Sequence, residues 1–384
     1  MTANVGAPSR RQGDALPDRF ATSAARIESV AVDMVRRRYV SPFGISSGDT
    51  PELISLLVRI EALGEAGVGE TTPMTAYSGE TPNGLREVIE QWLAPVVVGR
   101  SVFDLAGLHL SMDGAIRGRP LAKAALDMAL VDLQGRLLQV PATALLGGRA
   151  REQIDIAWVV GLGDIEATVR EAVARAAQGF RHIKVKGGTD LRRDEELVGE
   201  LSRSLPPGTE IGLDANAGYE LSSALPALRR MEARGLSLVE QPLPGWDLRG
   251  MARLAGTLDL LVVADESLRS LQDAVALARA GACDVFNVKL LKVGGLYRAR
   301  QLAGVAEAEG IPIKVGSMPE LGVGTLAAAH FAAATPSATV AADLVGPLMV
   351  EKDVLVSPRL DLETCPGAMR VPDLPGLGCT IAAS

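Results

Sequence analysis

The chain reads as an α/β protein: a (β/α)8-type barrel preceded by an N-terminal α+β capping domain and completed by a C-terminal tail that returns to the cap. Three observations predict this. From residue 151 onward a short β-branched strand followed by an Ala- or Leu-rich amphipathic helix recurs. Almost every one of those strands ends in polar residues, as barrel strands do at their functional face and the strands of an open sheet do less regularly. The 384 residues also exceed what a single hydrophobic core usually organises.

The strands expected are Ile154–Val160, His182–Lys186, Glu210–Asp214, Ser237–Glu240, Leu260–Ala264, Asp284–Lys289, Ile311–Val315 and Thr339–Asp343. Their starts lie 28, 28, 27, 23, 24, 27 and 28 residues apart, one βα unit each. Ahead of them, Arg26–Val40 and Ile54–Ala62 read as strands of a small sheet joined through Pro42-Phe43-Gly44. Helical segments around Leu85–Leu93 and Leu121–Leu138 follow. The expected division is a loose leader over 1–26, a cap over 27–150, the barrel over 151–345, and a Pro- and Gly-rich segment over 346–384 that is too short to fold alone.

Composition narrows the function. Aromatic residues make up 3% of the chain, which argues against a sugar- or base-stacking surface. The net charge of −7 and the lack of extended basic runs argue against nucleic acid. Cys283, Cys365 and Cys379 have no metal-type spacing, and their odd number argues against a disulfide framework. No apolar run approaches the ~20 residues of a membrane helix. A cytoplasmic protein without nucleic-acid or membrane partners is the expectation.

Reading the strand ends in order gives Lys184 and Lys186, Asp214, Glu240, Asp265, Lys289 and Asp343. Three carboxylates from three consecutive strands, 26 and 25 residues apart, would repel severely if buried together without a cation. Oxygen-only donors suit one divalent ion, Mg2+ or Mn2+. Lys184 and Lys186 are two apart on a strand and share a face. Lys289 ends a strand four places round the ring, nearly opposite. Amines on both sides of an ion are what proton transfer beside a carboxylate requires.

The motifs His182-Ile183-Lys184-Val185-Lys186, Asp214-Ala215-Asn216, Glu240-Gln241-Pro242, Ala264-Asp265-Glu266-Ser267 and Asn287-Val288-Lys289 with Gly294-Gly295 resemble the enolase superfamily, in its muconate lactonizing (muconate cycloisomerase) subgroup. The resemblance runs from about Ile27 to Gly378. It implies a modified TIM barrel in which Asp214, Glu240 and Asp265 ligate the metal. Lys186 and Lys289 would be the acid/base pair, Lys184 would support Lys186, and Asn216, Glu266 and Asp343 would back them. The pairing of lysine with a divalent ion is the established chemistry of that superfamily, not something read from these spacings.

Ala157-Trp158, Ala76-Tyr77-Ser78-Gly79-Glu80, Gly316-Ser317-Met318-Pro319-Glu320 and Gly346-Pro347-Leu348 resemble the muconate enzymes more narrowly. They imply Tyr77, Glu320 and Val345 as substrate contacts. Asp343-Leu344-Val345 stands where dipeptide epimerases carry Asp-x-Asp. Ser41-Pro42-Phe43-Gly44 stands where basic residues often hold a second carboxylate, a role then expected of Arg37, Arg38 or Lys292. Trp158 is a candidate for lining the barrel mouth. The activity implied is lactone formation by muconate-type cycloisomerisation of a small-molecule carboxylate, in a homo-oligomeric enzyme. The alternatives are racemisation, epimerisation or dehydration of an amino-acid derivative, or a barrel kept as a non-catalytic scaffold. Gly322-Val323-Gly324-Thr325-Leu326-Ala327 matches a dinucleotide fingerprint but does not directly follow its strand and reads as a helix start.

Overall fold

A computed structural model describes residues 25–45, 48–361 and 363–382. The expected leader falls almost wholly outside these residues, as do the side chains of Pro42 and Phe43.

The cap is built on three antiparallel strands, β1 (Ser29–Ile45), β2 (Gly48–Ala62) and β3 (Glu65–Thr71). The third was missed in the sequence because Glu65–Thr71 is short and carries two glycines. Those glycines have a packing reason. A Cβ on Gly67 or Gly69 would collide with the backbone of Ala129 or Ala125 on the long cap helix. That helix, α2 (Pro120–Leu138), is buried on nearly every face between β3 and the barrel, and α1 (Leu105–Ala115) lies before it. The helical stretch expected at Leu85–Leu93 forms as an α turn running into a π segment over Val88–Leu93.

Seven parallel strands follow: β4 (Ala157–Val160), β5 (His182–Lys186), β6 (Glu210–Asp214), β7 (Leu236–Glu240), β8 (Leu261–Ala264), β9 (Val285–Val288) and β10 (Ile313–Val315). They pair in sequence order. The eighth expected strand, Thr339–Asp343, is not a full strand. It closes the ring by isolated parallel bridges, Val340 to Lys314 on one side and Ala342 to Ile156 on the other. The first expected strand is split: Ile154–Asp155 pairs instead with Ala368–Met369 of the tail. Inside the barrel Leu238, Val263 and Val285, with Val340, form a small apolar layer separate from the main core.

The helices that concern the site are α3 (Ile165–Ala177), α4 (Leu191–Ser204), α5 (Leu221–Glu232), α6 (Leu248–Ala255), α7 (Leu271–Ala280), the single turn α8 (Leu290–Val293), α9 (Leu296–Glu309) and α10 (Gly322–Ala334). The tail meets the cap through Leu377 N–H to Asp132 Oδ1 (2.7 Å) and Arg136 to the Cys379 carbonyl (2.8 Å). Among the described residues no helix is long and apolar enough to cross a membrane.

Candidate active site

Strand register sets the site. Lys186 pairs with Asp214, and Asp214 with Glu240, so the ends of β5, β6 and β7 present their polar groups at one level. The alternation of a strand places Lys184 one inward position deeper. Asp265 follows β8, and Lys289 follows β9. All of Lys184, Lys186, Asp214, Glu240, Asp265, Lys289 and Asp343 are buried.

Burial of so many charges is tolerated because they are paired. Lys184 Nζ donates to Glu240 (2.9 Å) and Asp343 (2.6 Å) and lies 3.5 Å from Asp214. Lys186 donates to Asp214 (2.7 Å) and Asn216 (3.1 Å). Lys289 donates to Asp265 (2.6 Å). Burial works against the ammonium forms, yet the carboxylates around Lys184, and Asp265 beside Lys289, hold both pKa values well above the ordinary lysine range. Burial would raise Asp214 and Asp265, but the lysines keep both low. Glu240 shows the opposite balance: burial and the neighbouring Asp214 push it up to about 7.

Among the described residues no three His, Cys, Asp or Glu side chains converge closely enough to enclose an ion as they stand, because each strand-end carboxylate is drawn to a lysine. The donor set still fits a hard divalent cation. Glu266, next to Asp265, accepts from Asn216 Nδ2 through one oxygen (3.2 Å), while its other oxygen, Oε2, is buried without any donor. Burial, Asp265 and Asp214 push Glu266 up to about 7. Four carboxyl groups gathered here, with Glu240 and Glu266 pushed up by burial and by their acidic neighbours and Glu266 holding an orphaned oxygen, form a place where positive charge is favourable.

The pocket above these groups is lined by Lys184, Lys186, Asn216, Lys289 and Asp343 at its floor, and by Met74, Tyr77, Val159, Met318, Val345 and Met349 around its wall. Lys289 Nζ lies 5.2 Å from the Tyr77 ring centroid, within cation–π range. Tyr77 and Val345 both line the pocket. Lys292 does not. Its ammonium is buried and donates to Asp265 Oδ1 (2.5 Å), the Asp265 carbonyl (2.6 Å) and the Asn287 carbonyl (3.0 Å). The reason is helical geometry: the turn of α8 brings residue 292 back over the face of Lys289. Glu320 is also set back. Its Oε1 accepts from Met318 N–H (3.2 Å), behind the pocket wall, and burial pushes its pKa up to about 8. Trp158 faces outward, where Nε1 donates to Glu171 (2.9 Å) of α3 and the ring lies under Arg175 (3.9 Å).

Several residues here were not singled out from the sequence. Gln241, buried and held at a positive φ of 35°, accepts from Asp265 N–H (2.9 Å) and from Ser267 N–H (3.1 Å), and so clamps the loop after β8 to the end of β7. Asn287 donates to Glu240 (2.9 Å), and Lys314 donates to Asp343 (2.6 Å). Asn287 lies two residues before Lys289 and so shares its face, which was the available signal for it, whereas Lys314 is placed by its pairing with Asn287 on the neighbouring strand. Asp194 of α4 accepts from Gly188 N–H (2.8 Å) and Tyr219 Oη (2.6 Å), tying together the loops that follow Lys186 and Asp214.

With this geometry in view, the comparisons with known proteins are decisive. Residues 26–147 match the mandelate racemase/muconate lactonizing enzyme N-terminal domain, and residues 167–384 match the enolase C-terminal domain-like family. The chain belongs to the mandelate racemase/muconate lactonizing enzyme family of the enolase superfamily. Muconate cycloisomerase 1 of Pseudomonas putida is 32% identical over 93% of this chain and 95% of its own. The solved N-succinyl Arg/Lys racemase of Bacillus cereus superposes with a TM-score of 0.89 at 31% identity, covering 93% of this chain and 96% of that one. A dipeptide epimerase from Enterococcus faecalis, solved with Mg and the dipeptide L-Leu-L-Tyr, gives 0.88 at 31% identity over 92% and 99%. Enzymes of the family use a divalent metal ion. The relatives thus span cycloisomerases, racemases and epimerases built on one fold.

Proposed function

We propose that this protein is an isomerase of small carboxylates that works as a muconate-type cycloisomerase. Asp214, Glu240 and Asp265 would hold one divalent ion, Mg2+ or Mn2+, with Asn216 and Glu266 behind them. When bound, such an ion offsets the negative charge that builds on a substrate carboxylate during proton transfer at the adjacent carbon.

The observation that carries the reading is the charge balance of the buried site. Lys184, Lys186, Lys289, Lys292 and Lys314 face Asp214, Glu240, Asp265, Glu266 and Asp343, five ammonium groups against five carboxyl groups, while Glu320, which also faces Lys289, is kept protonated by burial. A divalent ion therefore brings a surplus of two positive charges, which a dicarboxylate such as muconate neutralises. In the reaction, one substrate carboxylate oxygen adds to the nearer carbon of the far double bond, closing a five-membered ring. The electron pair moves to the carbon beside the other carboxylate, and that carbon takes a proton from a lysine ammonium. The lysine regains its proton from water. Lys186 and Lys289, four strands apart in the ring and both on the pocket, are the candidates for donor. The apolar wall of Met74, Val159, Met318, Val345 and Met349 keeps water from the reacting carbons.

The second reading is racemisation or epimerisation of an amino-acid derivative. It is favoured by the presence of a lysine on each side of the pocket, since removing and returning a proton on opposite faces needs both. One lysine would then be neutral as the base, leaving a surplus of one, which a monocarboxylate balances. The test is to supply cis,cis-muconate with Mg2+ or Mn2+ and follow the loss of diene absorbance and the appearance of lactone. Muconate inert but an N-acylated amino acid exchanging its α-proton in deuterated water, dependent on both lysines, replaces the first reading by the second.

A further inference from the structure

Two barrel helices next to the pocket begin without a capping side chain of their own. Helix α9 starts after Gly295, and α10 starts after Leu321. The first turn of a helix leaves backbone N–H groups unpaired, and burying them unpaired is costly. In both cases a cap side chain supplies acceptors, joined at α10 by Asp353 of the tail, which accepts from Gly322 N–H (2.9 Å). Asp127 of α2, fully buried, accepts from Leu296 N–H through Oδ1, and from Tyr297 N–H through Oδ2 (3.2 Å). A Cβ on Gly295 would overlap the Asp127 carboxyl, so glycine at 295 admits it. Oδ2 also meets His109 Nε2 (2.8 Å), whose ring stacks on Tyr297. Glu70 of β3, also fully buried, accepts from Leu321 N–H through Oε1 (2.6 Å) and from Gly324 N–H through Oε2 (2.8 Å), with Ser55 Oγ donating to Oε1 (2.7 Å).

The two helices are those that lead out of the pocket. Between Lys289 and Leu296 lies only α8 and its Gly-Gly exit, wound tightly by Lys292 N–H to Lys289 O (3.0 Å) and by Gly294 N–H (3.1 Å) and Gly295 N–H (2.9 Å) to Leu290 O. So short and fully bonded a link passes any shift of Leu296 back to Lys289. The segment Ser317–Glu320, which supplies Met318 to the pocket wall, runs directly into Leu321.

We propose that Asp127 and Glu70 are positioning residues for the reaction. From the cap, each supplies the N-cap that a barrel helix lacks, and so fixes Lys289 and the Met318 wall respectively. The consequence for rate rests on reading Lys289 as a proton-transfer group; the positioning itself does not. The cap then does more than cover substrate: its docking sets the geometry of the barrel's own site.

The test avoids any assumption about substrate. Full-length protein and the isosteric variants Asp127→Asn and Glu70→Gln are pulsed with acetic anhydride or with hydrogen peroxide, and the peptides are analysed by mass spectrometry. Asp127→Asn is expected to speed acetylation of Lys289 at least threefold while Lys186 is unchanged. Glu70→Gln is expected to speed oxidation of Met318 at least threefold while Met251, in the core, is unchanged. Equal acceleration of Lys186 and Lys289, or of Met318 and Met251, would show a merely structural role and overturn the proposal, as would no change. If cis,cis-muconate is turned over, Asp127→Asn lowers kcat and Glu70→Gln raises KM. If it is not, the functional reading falls, and the labelling result still decides the positioning.

Discussion

Lys184→Met is the substitution whose cost the structure defines most sharply. The Lys184 ammonium is shared by Glu240 at 2.9 Å, Asp343 at 2.6 Å and Asp214 at 3.5 Å, all buried. Methionine fills the stem but leaves these carboxylates short of one compensating charge. Removing one partner of a buried ion pair costs about 3–5 kcal/mol, because the remaining charge keeps its desolvation penalty. Lys314→Met supplies the internal control. Lys314 also donates to Asp343, at 2.6 Å, but its other partner is only the Ala341 carbonyl, and Asp343 keeps Lys184. Its loss should cost about 1–3 kcal/mol. Urea unfolding of the chelated protein, followed by far-UV circular dichroism, would measure both. Saturating Mg2+ should then stabilise Lys184→Met over its own chelated form by about 2.7 kcal/mol at a hundredfold excess over Kd. A deficit below about 1 kcal/mol, or one no larger than that of Lys314→Met, would refute the account of Lys184 as the shared counter-charge.

Asp214→Ala, Glu240→Ala and Asp265→Ala should each abolish turnover, and full activity after exhaustive chelation would sink the metal assignment. Lys292→Met, expected from the sequence to raise KM for a dicarboxylate, should instead weaken Mg2+ binding measured by calorimetry, because Lys292 holds Asp265 by both its carboxylate and its carbonyl. Stability should fall as pH rises from about 4.5 towards 8. Burial lifts Glu70 to about 7 and Glu320 to about 8 from an ordinary 4.5, so the folded state holds protons that the unfolded state releases. Glu70 faces Ser55, Asp353, Glu320 and two backbone N–H groups, while Glu320 faces Glu70, Lys289 and Met318 N–H. Glu70→Gln should flatten the slope between pH 5 and 7, and an unchanged melting profile over that range would count against it.

The sequence by itself determined the repeat of strand and helix, and with it which side chains reach the barrel mouth. Register and alternation are local properties, so Lys184, Lys186, Asp214, Glu240, Asp265 and Lys289 could be placed from the ends of apolar runs alone. It did not determine where the short connections turn. The sequence offers Lys292 for a second substrate carboxylate, but one helical turn after β9 folds it onto Asp265, and Trp158 lies on the outer face because Glu171 and Arg175 of α3 partner it there. Nor could it show the eighth segment closing the ring by two bridges, or a glycine-bearing third cap strand fitted to α2. Only the tertiary structure brought Asp127 to Leu296 and Glu70 to Leu321, pairs 169 and 251 residues apart. The reason is physical. Strand faces follow from a period of two, whereas the partner of a buried carboxylate is fixed by whichever unpaired N–H the packing of two domains brings to it.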